Sequence, residues 1–221
     1  MGAMPFLIGS LLGAAAGPPA ASFVFSTPRN GSTKPVTRWW TGLPAPIWAV
    51  VGTSALTGIA GGTVCAFLPA TYALPAFWAF GVIAVPLALV DLRCQRLPFV
   101  LTATLWASSS AGLVTESLAS GHIRSLVVAS ALGIAVGVLA LAVALALPGQ
   151  MGLGDVSLMG VIALTLGWLK VETAGVGLVA GVLTQAVVAI GVVIRTGNRR
   201  LKVPFGPALL AGWFLAIWLY A

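Results

Sequence analysis

The sequence predicts an all-α fold, a polytopic membrane helix bundle of about eight transmembrane helices with no sizeable soluble domain. Hydrophobic residues make up 59% of the 221 residues, charged residues only 7%, and the mean hydropathy is +1.08. Soluble domains carry about 25% charged residues, whereas roughly 20 consecutive apolar residues suffice for a helix that crosses a bilayer. The composition therefore excludes a disordered chain and an ordinary soluble nucleotide-binding domain.

Apolar stretches separated by polar or turn-forming residues define the predicted spans. They cover residues 4–25, 46–68, 72–90, 98–117, 123–147, 156–169, 172–194 and 204–220. No basic segment precedes the first apolar run, which favours a retained span over a cleaved signal peptide. Residues 26–44 form the longest polar segment. We therefore expect an amino-terminal span with a short cytoplasmic loop (1–45), followed by a membrane-embedded domain (46–221).

The basic residues predict the orientation of the spans. If the spans alternate and the amino terminus is outside, nine basic residues fall in inner loops and two in outer loops. The inner ones are Arg29, Lys34, Arg38, Arg93, Arg96, Arg195, Arg199, Arg200 and Lys202, and the outer ones are Arg124 and Lys170. Such a bias is typical of membrane proteins, whose cytoplasmic loops are enriched in Lys and Arg. Merging the sixth and seventh spans would move four of the nine outside, so the charges favour eight spans over seven.

Metal, cofactor and nucleic-acid functions find little support in the sequence. Cys65 and Cys94 are the only cysteines, and the predicted topology puts them near opposite faces of the membrane. His122 is the only histidine and falls in an external loop, whereas zinc sites need three or four protein ligands. The net charge of +7 comes from Lys and Arg residues in the predicted loops, where such residues set the orientation of the spans. We expect no metal, no cofactor and no nucleic-acid partner.

The four acidic residues divide into two pairs. Glu116 and Glu172 fall in short external loops near basic residues, and we expect them to be solvated. Asp91 and Asp155 are the only aspartates, and the topology places them at the cytoplasmic ends of the third and sixth spans. They should therefore lie at the same depth.

Asp91 follows an uninterrupted apolar run and should lie at the membrane boundary. An ionised carboxylate there is costly unless it is paired, hydrated or functional. One interpretation is that Asp91 pairs with Arg93 or Arg96 at the end of its helix. The other is that it takes part in chemistry.

Asp155 follows Gly152 and Gly154, and two glycines one residue apart let a backbone approach its neighbour closely. One interpretation is a cap on the helix that follows. The other pairs it with Asp91, because two carboxylates a few ångströms apart in a low-dielectric site cannot easily both ionise and instead share a proton. In aspartic proteases one such group activates water while the other polarises the peptide carbonyl and later protonates the leaving nitrogen.

Around these aspartates the sequence resembles the prepilin peptidase family, membrane aspartic proteases of the Gly-x-Gly-Asp type that remove the leader from type IV prepilins and pseudopilins. Three segments carry the resemblance, which covers the chain from about residue 75 to the end. They are VDLRCQRLPFVLT at 90–102, GLGDVSLMG at 152–160 and KVPFGPALLAGWF at 202–214.

The resemblance implies that Asp91 and Asp155 are catalytic. It also implies a set of supporting loop residues around the active site: Pro98, Gly152, Gly154, Pro204, Gly206 and Pro207. For the last three, the alternative is that they only shape the turn into the final helix. The expected partners are the lipid bilayer and a prepilin or pseudopilin with a basic leader and a hydrophobic helix. The expected location is the bacterial plasma membrane, with the active site facing the cytoplasm.

The sequence departs from the family pattern at three places. Phe99 stands where the family usually has Asp or Asn, and Ser157 stands where it usually has Lys. Residues 26–44 lack the paired Cys-x-x-Cys motifs of the long members, which methylate the pilin amino terminus with S-adenosylmethionine, so the resemblance does not extend to that second activity and methylation stays open. Two other functions stay open: a small transporter or channel whose two aspartates bind a cation or proton, and an inactive relative that acts as a scaffold.

Overall fold

The computed structural model describes residues 3–27, 39–147, 151–197 and 203–221. Within these ranges the chain forms nine α-helices and a short 3₁₀ helix at Trp39–Thr41, with no strand. The helices are α1 (Ala3–Ala15), α2 (Gly17–Ser26), α3 (Ile47–Phe67), α4 (Leu74–Cys94), α5 (Phe99–Ser120), α6 (Ile123–Ala146), α7 (Leu153–Leu169), α8 (Val171–Thr196) and α9 (Gly206–Tyr220). The prediction of an all-α fold is confirmed.

The predicted apolar segments each coincide with helix, but the first is divided. We predicted one span over residues 4–25, and the structure separates α1 from α2 at Ala16. Pro18 and Pro19 lie in the first turn of α2, where a missing N–H costs little, but the same prolines would interrupt the hydrogen bonds of a continuous helix. The sixth and seventh segments are separate helices, α7 and α8, joined at Lys170 in extended backbone.

Some predicted features lie outside the described residues. They comprise most of the polar segment at 26–44 and six of the basic residues used to predict the orientation: Arg29, Lys34, Arg38, Arg199, Arg200 and Lys202. Their role in topology therefore stays a prediction.

Small residues let α1 and the start of α2 pack closely against α3. Gly9, Gly13 and Gly17 are four residues apart and share one face. A Cβ added to Gly13 would overlap the carbonyl oxygen of Thr57, and one added to Gly17 would overlap Ser54. This small-residue spacing is typical of helix pairs in membranes, where close packing replaces the hydrophobic effect as the force between helices.

Glycines also bring α8 close to α9 and α6 close to α7. A Cβ on Gly212 of α9 would overlap the carbonyl oxygen of Gly177 and lie 2.8 Å from the Cα of Gly181, both on α8. Between α6 and α7, a Cβ on Gly133 would lie 3.1 Å from the carbonyl oxygen of Gly160. A larger residue at Gly212 would therefore push α8 and α9 apart, whereas one at Gly133 would need a shift of only a few tenths of an ångström.

The centre of the bundle is α7, and α9 packs beside it. All residues from 160 to 167 of α7 are buried, as expected for a helix that is apolar all round. The fully buried Trp213 of α9 stacks on Phe80 at 4.3 Å between ring centroids and donates a hydrogen bond to Thr165 Oγ1 at 3.0 Å. These contacts fix the direction of α9, whose first residue, Gly206, reaches Asp91.

Five helical segments of the described chain are long and apolar enough to cross a membrane: Ala3–Ser26, Ile47–Phe67, Leu74–Cys94, Ile123–Ala146 and Val171–Thr196. The helices α7 and α9 are apolar but shorter, with 17 and 15 residues. Exposed apolar side chains are numerous on α6 and α8, including Ile134, Val138, Leu183 and Val187. A water-soluble chain would bury such surfaces.

Candidate active site

Asp91 lies in the last turn of α4, which ends where Gln95 adopts a left-handed conformation with φ 51°. The side chain of Asp91 is 3% exposed, and its Oδ2 accepts a hydrogen bond from the backbone N–H of Gly206 at 2.9 Å. Gly206 is the first residue of α9. Free N–H groups at a helix amino terminus carry partial positive charge, so α9 provides a favourable environment for this carboxylate.

Asp155 is the third residue of α7. Its Oδ2 accepts a hydrogen bond from the N–H of Gly152 at 3.0 Å, which is one arm of a capping box. The capping interpretation is therefore correct in substance, although Asp155 lies inside the first turn and Gly152 takes the cap position. The cap uses one of the two carboxylate oxygens, so it leaves the other for a further role.

Leu97 connects the two aspartates. A Cβ on Gly154 would lie 2.6 Å from Leu97 Cβ, and a Cβ on Gly206 would lie 3.1 Å from Leu97 Cδ2 and 2.9 Å from Asp91 Oδ2. Both glycines therefore make room for Leu97. Leu97 thereby packs between Gly154, which precedes Asp155, and Gly206, which bonds to Asp91.

The prolines of the site stand at helix starts. Pro98 is buried and caps α5 with φ −65°. Pro207 lies in the first turn of α9, and the half-buried Pro204 precedes it by three residues. These positions agree with a role in shaping the turns. Gly206 differs from its neighbours because it contacts Asp91 directly.

Arg93 does not form the ion pair with Asp91 that we considered from the sequence. Its Nη1 donates to the carbonyl oxygen of Val24 at 3.0 Å, and its guanidinium carbon lies 4.1 Å from the ring centroid of Phe25. Carbonyls in the last turn of a helix lack partners within the helix, and a guanidinium supplies one there. Arg93 thus joins α2 to the Asp91 end of α4 and is directed away from the carboxylate. No sequence signal marks a contact across 69 residues.

The two positions that depart from the family pattern have different environments. Phe99 opens α5 and is 80% exposed. Ser157 is half-buried, and Trp106 Nε1 donates to both its Oγ and its carbonyl oxygen at 3.1 Å. Trp106 belongs to α5, and nothing in the sequence indicated its contact with α7.

Exposed apolar side chains lie at the helix ends near the aspartates. We call Leu92, Phe99, Val100 and Leu153 the apolar rim, since each is more than half exposed. They come from the end of α4 that carries Asp91, the start of α7 that carries Asp155, and the start of α5, which follows α4 in the chain. The site is therefore bordered by surface that suits lipid or an apolar partner.

The two glutamates have different environments. Glu172 is exposed, as predicted. The prediction for Glu116 was wrong: it is 8% exposed, and its Oε2 accepts a hydrogen bond from Ala73 N–H at 2.9 Å. The cause is that α5 continues to Ser120, so Glu116 faces the interior, where the start of α4 offers an unpaired N–H.

Other site predictions concern cysteine, histidine and metals. Neither Cys65 nor Cys94 is part of a disulfide, and the two lie near opposite ends of the antiparallel α3 and α4. His122 is exposed between α5 and α6. In the part of the chain that the structure describes, no group of three or more His, Cys, Asp or Glu residues could hold a metal ion.

Comparisons with protein-family models, curated proteins and solved structures found no match.

Proposed function

We propose that this chain is a membrane aspartic endopeptidase of the prepilin peptidase type. It removes the leader from type IV prepilins or prepilin-like proteins at the cytoplasmic face of the bacterial plasma membrane. Asp91 and Asp155 form its catalytic pair. The observation that carries the proposal is the meeting of three distant segments at these aspartates, through the hydrogen bond from Gly206 to Asp91 and the packing of Leu97 against Gly154 and Gly206.

In this proposal the two carboxyl groups share one proton and divide the work of hydrolysis. The ionised aspartate takes a proton from a water molecule, whose oxygen attacks the scissile carbonyl carbon. The protonated aspartate donates a hydrogen bond to the carbonyl oxygen. The carbon–nitrogen bond then breaks, and the leaving nitrogen receives a proton, so that one water is consumed for each peptide bond.

The surroundings of the pair suit a substrate whose cleavage site adjoins a hydrophobic helix. The helix-starting N–H groups of Gly206 and Gly152 hold one oxygen of each aspartate and so orient the carboxylates. The apolar rim offers a surface for the hydrophobic helix of a prepilin. In the proposed topology of eight spans with the amino terminus outside, both aspartates face the cytoplasm, where the basic leader of a prepilin begins.

The test is co-expression with an epitope-tagged prepilin from the same genome. The wild type is compared with Asp91→Asn, Asp155→Asn and the matched control Glu172→Gln, which changes an exposed acid at the other end of the bundle. We expect the wild type and the control to cleave just ahead of the hydrophobic helix. Both asparagine variants should lose cleavage while inserting normally, because the amide cannot exchange the proton. Cleavage is followed by a mobility shift and by mapping the new amino terminus.

Two results would contradict the proposal. One is cleavage at the wild-type rate by either asparagine variant. The other is failure of the wild type to cleave any prepilin of that genome, in which case ion flux and assembly assays would test the transporter and scaffold functions. Mass spectrometry of the same product shows whether its amino terminus is methylated.

A further inference from the structure

A cavity of about 220 Å³ lies at the opposite end of the bundle from the aspartates. It lies between the starts of α4 and α6 and the ends of α5, α7 and α9, whereas Asp91 is in the last turn of α4. Its walls include one carboxylate, three aromatic rings and smaller polar groups. The residues that matter below are Phe77, Glu116, His122, Trp168 and Tyr220.

Glu116 is the unusual member of this wall. Burying an ionised carboxylate is costly unless the charge is paired and hydrogen-bonded. Among the described residues its partner is the N–H of Ala73, which occupies Oε2. That neutral donor leaves Oε1 and the negative charge available to a ligand in the cavity.

The aromatic rings of Phe77, Trp168 and Tyr220 border the same space. The faces of such rings attract cations, and carboxylates combined with aromatic rings form the usual environment of bound ammonium groups. The structure contains one example at this place, since the Lys170 ammonium lies 5.7 Å from the centroid of Tyr220. Lys170, which lies beside the cavity, is a competing positive group.

From these features we infer that the cavity binds a small organic ammonium ion, with Glu116 as counter-ion and the rings as walls. Its volume is below the roughly 300 Å³ at which pockets for drug-sized ligands begin, so the ligand is small. The ammonium could belong to a soluble amine or to the ethanolamine headgroup of a lipid, and the experiment separates the two. This inference does not depend on the proposed peptidase activity.

The test is calorimetric titration of the purified full-length chain, in uncharged detergent, with ethanolammonium and tetramethylammonium chlorides against sodium chloride of equal strength. We expect saturable binding of the ammonium ions only. Glu116→Gln should weaken it about tenfold or more, because a hydrogen-bonded charge is lost while an acceptor for Ala73 N–H is kept. Glu172→Gln, which removes an exposed acid outside the cavity, should bind as the wild type does.

The source of the ammonium is tested by repeating the titration in nanodiscs. If phosphatidylethanolamine discs block ethanolammonium binding and phosphatidylglycerol discs do not, the ligand is the lipid headgroup; if neither blocks it, the ligand is a soluble amine. Tyr220→Leu removes one ring near the carboxyl terminus and should also weaken binding. This variant tests the inference if Glu116→Gln fails to fold. The inference is wrong if the wild type shows no saturable binding, or if a folded variant of either residue binds unchanged.

Discussion

The two ends of the bundle contain the same kind of hydrogen bond in different surroundings. At both ends a buried or half-buried carboxylate accepts a hydrogen bond from an N–H at or next to a helix start: Gly206 for Asp91, Gly152 for Asp155 and Ala73 for Glu116. At the aspartate end the neighbouring segments are pressed together, whereas beside Glu116 there is a cavity. The comparison shows that similar hydrogen bonds to a carboxylate occur both where segments are closely packed and beside a cavity.

Glycine accounts for much of this difference. At the aspartate end, Gly154 admits Leu97 at a distance that a Cβ would not allow, and a Cβ on Gly206 would lie only 3.1 Å from Leu97 Cδ2. Around Glu116, the cavity is lined by large side chains such as Phe77 and Trp168. Catalysis by two groups requires fixed geometry, and binding requires space, so each end has the packing that its proposed role needs.

The largest effect is expected from Gly206→Ala. The added methyl group would lie 2.9 Å from Asp91 Oδ2 and 3.1 Å from Leu97 Cδ2, so the carboxylate or the start of α9 must move. Overpacking of this kind costs about 1–3 kcal/mol, and a similar loss in the transition state lowers the rate about tenfold or more. We expect prepilin cleavage to fall by that factor, measured as the cleaved fraction over time.

The matched control is Gly175→Ala on the outward side of α8, where an added Cβ meets nothing within 4 Å. It should cleave at the wild-type rate. Equal cleavage by the Gly206 and Gly175 variants would show that the close approach of α9 to Asp91 does not matter for the reaction.

A smaller and different effect is expected from Glu116→Ala. It leaves Ala73 N–H without its acceptor, and an unsatisfied buried donor costs about 1–3 kcal/mol. The thermal unfolding temperature in detergent should therefore fall, while cleavage per folded molecule stays unchanged because the aspartates lie at the other end. Glu172→Ala, at an exposed acid, should change neither property. Loss of cleavage in folded Glu116→Ala would mean that the two ends are coupled.

The sequence predicted the helices well because apolar runs between turn residues are a strong signal. The predicted segments 46–68 and 123–147 match α3 and α6 to within a residue at each end. The break at Ala16 was missed, since the apolar run continues through Pro18 and Pro19 without a change in composition. Composition alone therefore shows where a helix can lie but not where it is interrupted.

The aspartate site was also predictable in part, because its residues fall in segments with recognisable glycines and prolines. The contacts that organise it were not, because Leu97 with Gly154 and Arg93 with Val24 join residues far apart in the chain. The error at Glu116 has the same origin. Its burial depends on an N–H of another helix, and nothing near it in the sequence indicates that partner.

The smallest expected effect is that of Ser157→Ala, which tests whether this departure from the family pattern affects the chemistry. Trp106 Nε1 bonds both the hydroxyl and the carbonyl oxygen of Ser157, so alanine removes only one of two acceptors. A neutral hydrogen bond contributes about 1 kcal/mol at most here, and we expect cleavage to stay within about twofold of the wild type. Trp106→Phe removes the donor itself and should lower the unfolding temperature more than Ser157→Ala does. If Ser157→Ala instead loses cleavage as fully as Asp155→Asn, its hydroxyl acts on the substrate, and the aspartate end has a third reactive group that its contact with Trp106 conceals.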